Sequence, residues 1–552
     1  MFNLRGTART QGELRRKERD NVFGQGTRTP VSITILVKQP STASNKDSRH
    51  SEQREESSAE RNEHKAVIKY YDIGDYLTRE QKLKIIQETE SISHLEMTVL
   101  HPNEHGDWIN QRNESFGKWI PIGDKDNKTN SKTWFLPVYA RGIGTSRDAW
   151  AYNFAKELML HNMKKSNDFF NSELKRYNES DGKTSVEDFI NNDEQKISWS
   201  RAYRNDIKRN AKHVFDEKFA AIGLHRPYCK QNLYFDKAVL NDVGPVMNMF
   251  PASEYENLVI CTTSAGDNHF TALISDCIPD LHLTATTQCF PLYYYEEPKT
   301  TGQTDVFASN DKYVRKDAVS DYILKQARTQ YSDPKIRKED IFYYVYGFLH
   351  CEEYRTEFAA DLKKMLPHIP LVDTADDFWA FSKAGRKLAE IHLNYEQAES
   401  YRCLIVSSKS TSADLPLFGI AAGENRAFFS AEAPETLYKV RQMRFAKKQV
   451  KAANGKMKTE DDKTRIVYND KITIAKIPLE AYEYVVNGKS AIEWIMERYA
   501  ITTDKASGIV NDPNDWALEH NDPKYIFNLV LRIITVSLET MNIVKNLPKV
   551  KF

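Results

Sequence analysis

Val31–Val37 (VSITILV) is a run of seven residues, five of them large aliphatics, with no charge in it. Such a run reads as a strand buried on both faces. A strand of that kind needs sheet neighbours on each side. Upstream there is only Phe2-Asn3-Leu4-Arg5, a short strand candidate, followed by a polar, basic loop. The first 40 residues cannot supply the remaining strands. The chain is therefore expected to open inside a domain, the rest of whose sheet lies elsewhere in the protein or has been lost.

Working outward, residues 41–66 hold six serines and eleven charged residues, with no aromatic and no aliphatic larger than alanine. That composition buries too little to offset ordering entropy and predicts a solvated, disordered linker. Beyond it, Thr78-Arg79-Glu80-Gln81 is a helix start with a threonine cap. Leu136–Tyr139 reads as extended and Asp148–Met163 as helical. A helix is predicted over 200–219. It carries Tyr203, Ile207, Ala211 and Val214 on one stripe and Arg201, Arg204, Lys208 and Lys212 on the next. Leu258–Thr263, Thr271–Ile274 and Phe290–Tyr295 read as strands. Aromatic and aliphatic residues from Ile341 to Met365 recur at helical spacing until Pro367, which marks a core helix region. The last 150 residues mix strands (Arg465–Tyr468, Ile472–Ile474) with helices (Ser490–Arg498, Tyr525–Leu547). The fold class is mixed α/β (α+β) and multidomain, with no internal repeat.

The chain has 552 residues and a net charge of +1, which excludes a wholly basic packaging protein and a wholly acidic tail protein. Six cysteines show no paired spacing and read as reduced thiols rather than a disulfide framework or zinc site. The N-terminus lacks an apolar signal core, and Tyr525–Leu547 contains Arg532, Glu539 and Lys545. A cytoplasmic protein with no membrane partner is expected.

Tests for chemistry are negative. Gly488-Lys489-Ser490 lacks the earlier glycine of a phosphate loop, because position 483 is Glu. Gly24-Gln25-Gly26 follows a charged run instead of a strand, and Gly142-Ile143-Gly144 lacks a third glycine. There is no H-E-x-x-H, no G-x-S-x-G and no Pro-Pro dipeptide, hence no loop of the [DNS]-P-P-[YFW] type that holds a target base amine. His161, His350 and His392 read as hydrogen-bonded structural residues. No metal site and no catalytic residue is expected. Charge position is more informative than its total. Residues 1–40, 201–237 and 438–476 carry +5, +5 and +8, leaving the other 436 residues net acidic. Three basic blocks interleaved with tyrosine and phenylalanine suit a phosphate-contacting surface.

Ten stretches in order resemble the C-terminal part of the Type ISP single-chain restriction–modification enzymes, large bacterial proteins that join nuclease, translocase, adenine methyltransferase and target-recognition domains. They are Phe2–Arg9, Asn21–Val37, Tyr71–Leu77, Arg141–Phe154, Arg226–Phe235, Phe290–Glu296, Asp340–His350, Asp377–Tyr395, Tyr482–Tyr499 and Thr503–Trp516. The resemblance implies that FNLRG and VSITILV are remnant strands of a Rossmann-like methyltransferase sheet, and that the chain is a C-terminal piece or split-gene product. It implies a methyltransferase fragment at 1–40, the linker at 41–66, and a helical spacer leading into the recognition region at 67–200. A β-rich recognition part (201–315), a helical insert (316–400) and a mixed C-terminal part (401–552) follow. S-adenosylmethionine, ATP and Mg2+ are implied for the full-length enzyme, with no cofactor in this chain. The implied partners are double-stranded DNA and an upstream methyltransferase/translocase chain. Two alternatives stand beside a recognition region without activity of its own: a split methyltransferase completed in trans, and an inert relic.

The expected DNA-facing residues form four groups. Arg141, Thr145, Arg147 and Asn153 sit in or beside a loop preceding a helix, where amides and guanidinium groups suit phosphate. Arg201, Arg204, Lys208 and Lys212 form the cationic stripe. Arg226, Tyr228 and Lys230 lie in a compact R-P-Y-C-K turn, from which an arginine can reach guanine O6/N7. Asn268 sits at the tip of a Gly-Asp-Asn-His turn. Asp148, Trp150 and Phe154 are assigned to packing.

Overall fold

The computed structural model describes residues 1–8, 12–24, 26–38, 66–124, 126–127, 130–136, 139–180, 182–252, 254–267, 269–298, 312–408, 434–451 and 457–552. All of the linker reading over 41–66 except its last residue, Ala66, and the turn residue Asn268 fall outside them. The chain divides into two units, Met1–Arg112 and Asn113–Phe552.

The first unit is built on one four-stranded sheet in the order Val31–Ile33, Phe2–Arg5, Ile68–Asp72, Thr98–Leu100. Phe2–Arg5 is a central strand, antiparallel to Val31–Ile33 and parallel to Ile68–Asp72. The sheet thus draws in residues beyond 67, which the sequence reading gave to the following spacer. The expectation of a fully buried strand over 31–37 is corrected. Only Val31–Ile33 pairs, at the sheet edge, and Leu36 is 88% exposed. Its small core is Leu4, Val22 and Ile73. The capping box at Thr78 and Gln81 starts the helix Arg79–Thr89 as the sequence predicts. That helix buries Lys82, whose ammonium donates to the carbonyls of Leu4 (3.1 Å), Glu18 (3.0 Å) and Asp20 (2.7 Å). One buried cation therefore ties three chain segments together through bonds that satisfy all its donors.

The second unit is mixed α/β, with two hydrophobic cores and several small sheets. One sheet orders Ala272–Ser275, Val259–Thr263, Thr287–Pro291 and Ala140–Arg141. A second orders Ile278–Pro279, Ala220–Arg226, Cys229–Tyr234 and Tyr152–Asn153. The predicted continuous helix over 148–163 is therefore interrupted. Asp148–Ala151 is one turn, Tyr152–Asn153 pairs with Leu233 and Asn232, and the long helix runs Lys156–Asn178.

The helices Lys338–Phe348 and Ala375–Leu393 pack backbone to backbone. A Cβ at Gly347 would lie 2.2 Å from the Phe381 carbonyl oxygen, and one at Gly385 would lie 1.9 Å from that of Tyr343. Only glycine permits this approach. The predicted aromatic stripe is core, with Phe342, Val345, Tyr346 and Leu349 fully buried. Tyr525–Lys545 is long and apolar enough to cross a membrane, yet Leu529, Val530, Ile533 and Ile534 lie inside the protein core. All six cysteines are free thiols, four of them buried.

Candidate nucleic-acid interface

The segment Arg141–Phe154 is held by distant parts of the same unit. Asn153 Nδ2 donates to the Val510 carbonyl (3.0 Å), and the Phe154 amide donates to Asn511 Oδ1 (2.9 Å). Asn511 Nδ2 in turn reaches Gln231 Oε1 (3.0 Å). Three stretches far apart in sequence thus meet around Asn153, which is fully buried. Thr145 is also buried; its hydroxyl donates to Asp148 and accepts the Arg147 amide (3.0 Å). Arg141 alone of this group is exposed, at the end of the strand Ala140–Arg141.

Arg147 is only 3% exposed. Its guanidinium lies 3.5 Å above the Tyr203 ring and donates to Ser200 Oγ (3.0 Å) and more weakly to the Ser198 carbonyl (3.4 Å). Burial lowers its pKa, opposed by Tyr203 and Asp206. Ser200 also caps the following helix by accepting the Tyr203 amide (3.2 Å). One hydroxyl therefore fixes both the arginine and the helix start. A cleft of about 360 Å³ opens beside it, lined among others by Arg147, Trp199, Arg204, Asp504 and Ser507.

The helix itself spans Arg201–Lys208, not the predicted 200–219. Asn210 adopts φ 54°, a left-handed turn residue that ends it, so Lys212 leaves the stripe and Val214 is exposed. What remains matches the amphipathic expectation. Tyr203 and Ile207 are buried, Arg201 and Lys208 are exposed, and Arg204 is half-buried. Lys208 pairs with Glu187 at 2.7 Å across the surface.

The R-P-Y-C-K turn joins Ala220–Arg226 to Cys229–Tyr234, with Tyr228 at φ 58°. Its Arg226, Tyr228 and Lys230 side chains turn inward onto partners within the fold, whereas the sequence reading placed them on the DNA side, with the arginine within reach of a guanine. Arg226 Nη1 bonds Asp280 Oδ1 at 2.7 Å, with Asp148 3.7 Å from Nη2. Tyr228 is 1% exposed and shares a 2.7 Å hydrogen bond with the Tyr484 hydroxyl. Lys230 pairs with Glu396 at 3.2 Å and lies 3.8 Å from Asp276. Asp148, His225 and Asp280 have ligand atoms within 4.8 Å of one another. Arg226 already supplies the positive charge there, so a metal ion would have to displace it. Asp148 is held well below the usual carboxylate range: burial pushes it up, and the nearby His225 ring (3.7 Å), the Thr145 hydroxyl bond and the Arg226 charge outweigh that. Burial, helped by Arg226, keeps His225 neutral.

The sequence reading marked block 438–476 as basic without choosing residues in it. The structure makes much of it one long hairpin, Arg444–Lys451 with Met457–Val467. The sequence signal was present in Arg465–Tyr468, but a charged strand without alternation hides its own length.

Small sheets and paired helices hold cationic elements on two cores. The family model described as the Type ISP C-terminal specificity domain matches residues 134–529, and the chain belongs to that family. Among solved structures, a nuclease-deletion mutant of the Type ISP restriction–modification enzyme LlaGI, in complex with a DNA substrate mimic, is 34% identical. The match covers 99% of this chain and 43% of that one, with a TM-score of 0.77. The ATP-dependent Type ISP enzyme LlaBIII bound to DNA is 30% identical over 100% of this chain and 31% of its own, again at 0.77. A DrdV–DNA complex shares the fold at 24% identity and TM-score 0.75, covering 100% of this chain and 48% of that one. The chain spans less than half the length of these proteins. No curated protein matches it.

Proposed function

We propose that this chain recognises the DNA target of a Type ISP restriction–modification enzyme, reading duplex DNA for adenine methylation and ATP-dependent cleavage performed by other parts of that enzyme. S-adenosylmethionine, ATP and Mg2+ belong, on this reading, to those other parts. The observation that carries it is the helix Arg201–Lys208. Its apolar face is locked into the core while Arg201, Arg204 and Lys208 point along the other side. Membership of the specificity-domain family supports the same partner.

The test is binding to randomised duplex DNA at two salt concentrations. Enrichment of one sequence and a steep fall in affinity with salt are expected. No enrichment together with no salt dependence rejects the proposal.

A second partner is favoured by a separate observation in the first unit. Ile33, Ile35, Leu36 and Val37 are exposed along and beyond an edge strand. An uncovered aliphatic edge of this kind suits a further strand of a methyltransferase sheet. Mixing this chain with a methyltransferase portion bearing the N-P-P-Y loop is expected to restore methylation that neither gives alone. Full activity of either part alone excludes it.

A further inference from the structure

The hairpin Arg444–Lys451/Met457–Val467 stands apart from the rest of the second unit. Its root is packed. Ile466 is buried, the Phe445 ring lies 5.9 Å from that of Tyr482, and Lys463 sits over both rings. The sheet order places Arg444–Lys451 at an edge, and Met457–Val467 meets its other neighbour only through Arg465–Val467. Beyond the irregularity at Ala446, five residue pairs from Lys447↔Asp461 to Lys451↔Met457 continue with no third strand. At ~3.4 Å per residue that is a ribbon roughly 17 Å long. Every residue of those pairs except the half-buried Val450 is exposed.

A two-stranded ribbon without a buried face is marginal by itself. Its chemistry shows what it suits. Residues 444–467 carry eight cations and three carboxylates. Two of the carboxylates are used within the ribbon, Asp461 by Lys447 at 2.6 Å and Glu460 by Lys458 at 3.1 Å. Lys448 and Lys451 have no carboxylate partner among the described residues. Alternation sorts the side chains. Lys447, Gln449 and Lys451 share one face with Asp461, Thr459 and Met457, and Lys448, Val450, Lys458 and Glu460 share the other. On the first face Gln449 Nε2 donates to Thr459 Oγ1 at 2.8 Å, which orients the amide. An oriented glutamine is suited to adenine N6/N7, and an exposed methionine to a thymine methyl.

We propose that this ribbon enters the major groove of the DNA target, with Gln449, Thr459 and Met457 toward base edges and Lys448 toward phosphate. The proposal rests on the DNA-recognition reading above and names the element that reads. A two-stranded ribbon fits the ~12 Å major groove of undistorted B-DNA, whereas the ~6 Å minor groove has to be widened, at a deformation cost, to admit one. It cannot enter the deep, narrow major groove of A-form RNA.

The test uses the full chain with Lys447–Asp461 replaced by Gly-Gly. Ala446 and Asp462 are paired, so two residues can close the shortened hairpin. The unfolding midpoint is expected to stay, because the removed residues lie outside both cores. Selection from randomised duplexes should lose its enriched sequence, with target affinity down roughly a hundredfold and low-salt binding to other sequences down only several-fold. Gln449→Ala should relax preference at one base pair by roughly tenfold. Lys448→Ala should weaken all sequences alike and flatten the salt slope by about 1. A shortened chain that still selects the same sequence overturns the proposal, whatever its affinity. Failure of the DNA reading looks different: the unaltered chain then selects nothing.

Discussion

Arg147 in loop 141–154 and the cations of helix Arg201–Lys208 are offered by the sequence on equal terms, yet they are used in opposite directions. Arg147 lies over Tyr203 inside the fold, whereas Arg201 and Lys208 stand in solvent. Arg226 and Lys230 follow Arg147 inward, each against a carboxylate. The segments with the clearest family resemblance are thus the ones that hold the scaffold together. Apart from Arg141, the exposed cations among the expected DNA-facing residues lie on plainer sequence. Charge in a sequence reports a need for a counter-charge, and only burial tells whether a carboxylate or a phosphate answers it.

The strongest way to break this contrast is Arg226→Ala. It leaves Asp280, 1% exposed, without its cation, and a broken buried pair costs about 3–5 kcal/mol. Urea unfolding should show that loss. Unchanged stability with altered sequence preference would move Arg226 to the reading side.

Acid is the next largest probe, and it acts on the inward region. His392 shares a hydrogen bond through Nδ1 with the Tyr346 hydroxyl (2.6 Å) and one through Nε2 with Thr540 Oγ1 (2.8 Å). Burial, then the Arg355 charge, lowers it to about 3. His350, His225 and His213 are also lowered, first by burial. Each is less protonated in the folded chain than in the unfolded one as pH drops through the ordinary value of 6.5, so unfolding takes up protons there. Stability is therefore full above that value and falls as pH is lowered through it. From pH 7 to pH 5 the cost for His392 alone is about 2 kcal/mol. His392→Gln should shallow the pH slope of stability by close to one proton. An unchanged slope would show that His392 is already charged in the fold.

Arg201→Ala, Arg204→Ala and Lys208→Ala together test the outward region. Global stability should change by no more than about 1 kcal/mol, since the Lys208–Glu187 pair is half-exposed. Binding to all duplexes should weaken, with the salt slope reduced by about 2 to 3. A change confined to one sequence would instead make these residues base readers.

What the sequence could show follows from range. Local signals were legible: Thr78 as a cap, the aromatic stripe as core, and the strands near 259–263 and 472–475. The cationic stripe on 201–208 was legible as well, because helical spacing defines it. Long-range choices were not. Nothing near Arg226 announces Asp280, and nothing near Asn153 announces Val510, 357 residues away. Val31–Val37 misled because hydrophobicity reports a wish for neighbours without supplying them, and one paired edge is all it receives. The helix over 200–219 was overextended because its periodicity ignores a single left-handed residue, Asn210.

Tyr228→Phe asks the finest version of the question. The substitution keeps the ring, which packs edge-on against Tyr395 at 5.1 Å, and removes only the hydroxyl shared with Tyr484. If Tyr228 belongs to the scaffold, one buried hydrogen bond is lost and unfolding is easier by about 1 kcal/mol, with Tyr484 left to absorb the change. DNA selection should then return the same sequence at the same affinity. A tyrosine that touched a base would give the reverse, a stable protein with one relaxed position. Because a phenyl ring fills the same space, neither outcome can be blamed on a collapsed core, and the R-P-Y-C-K turn is assigned by which of the two measurements moves.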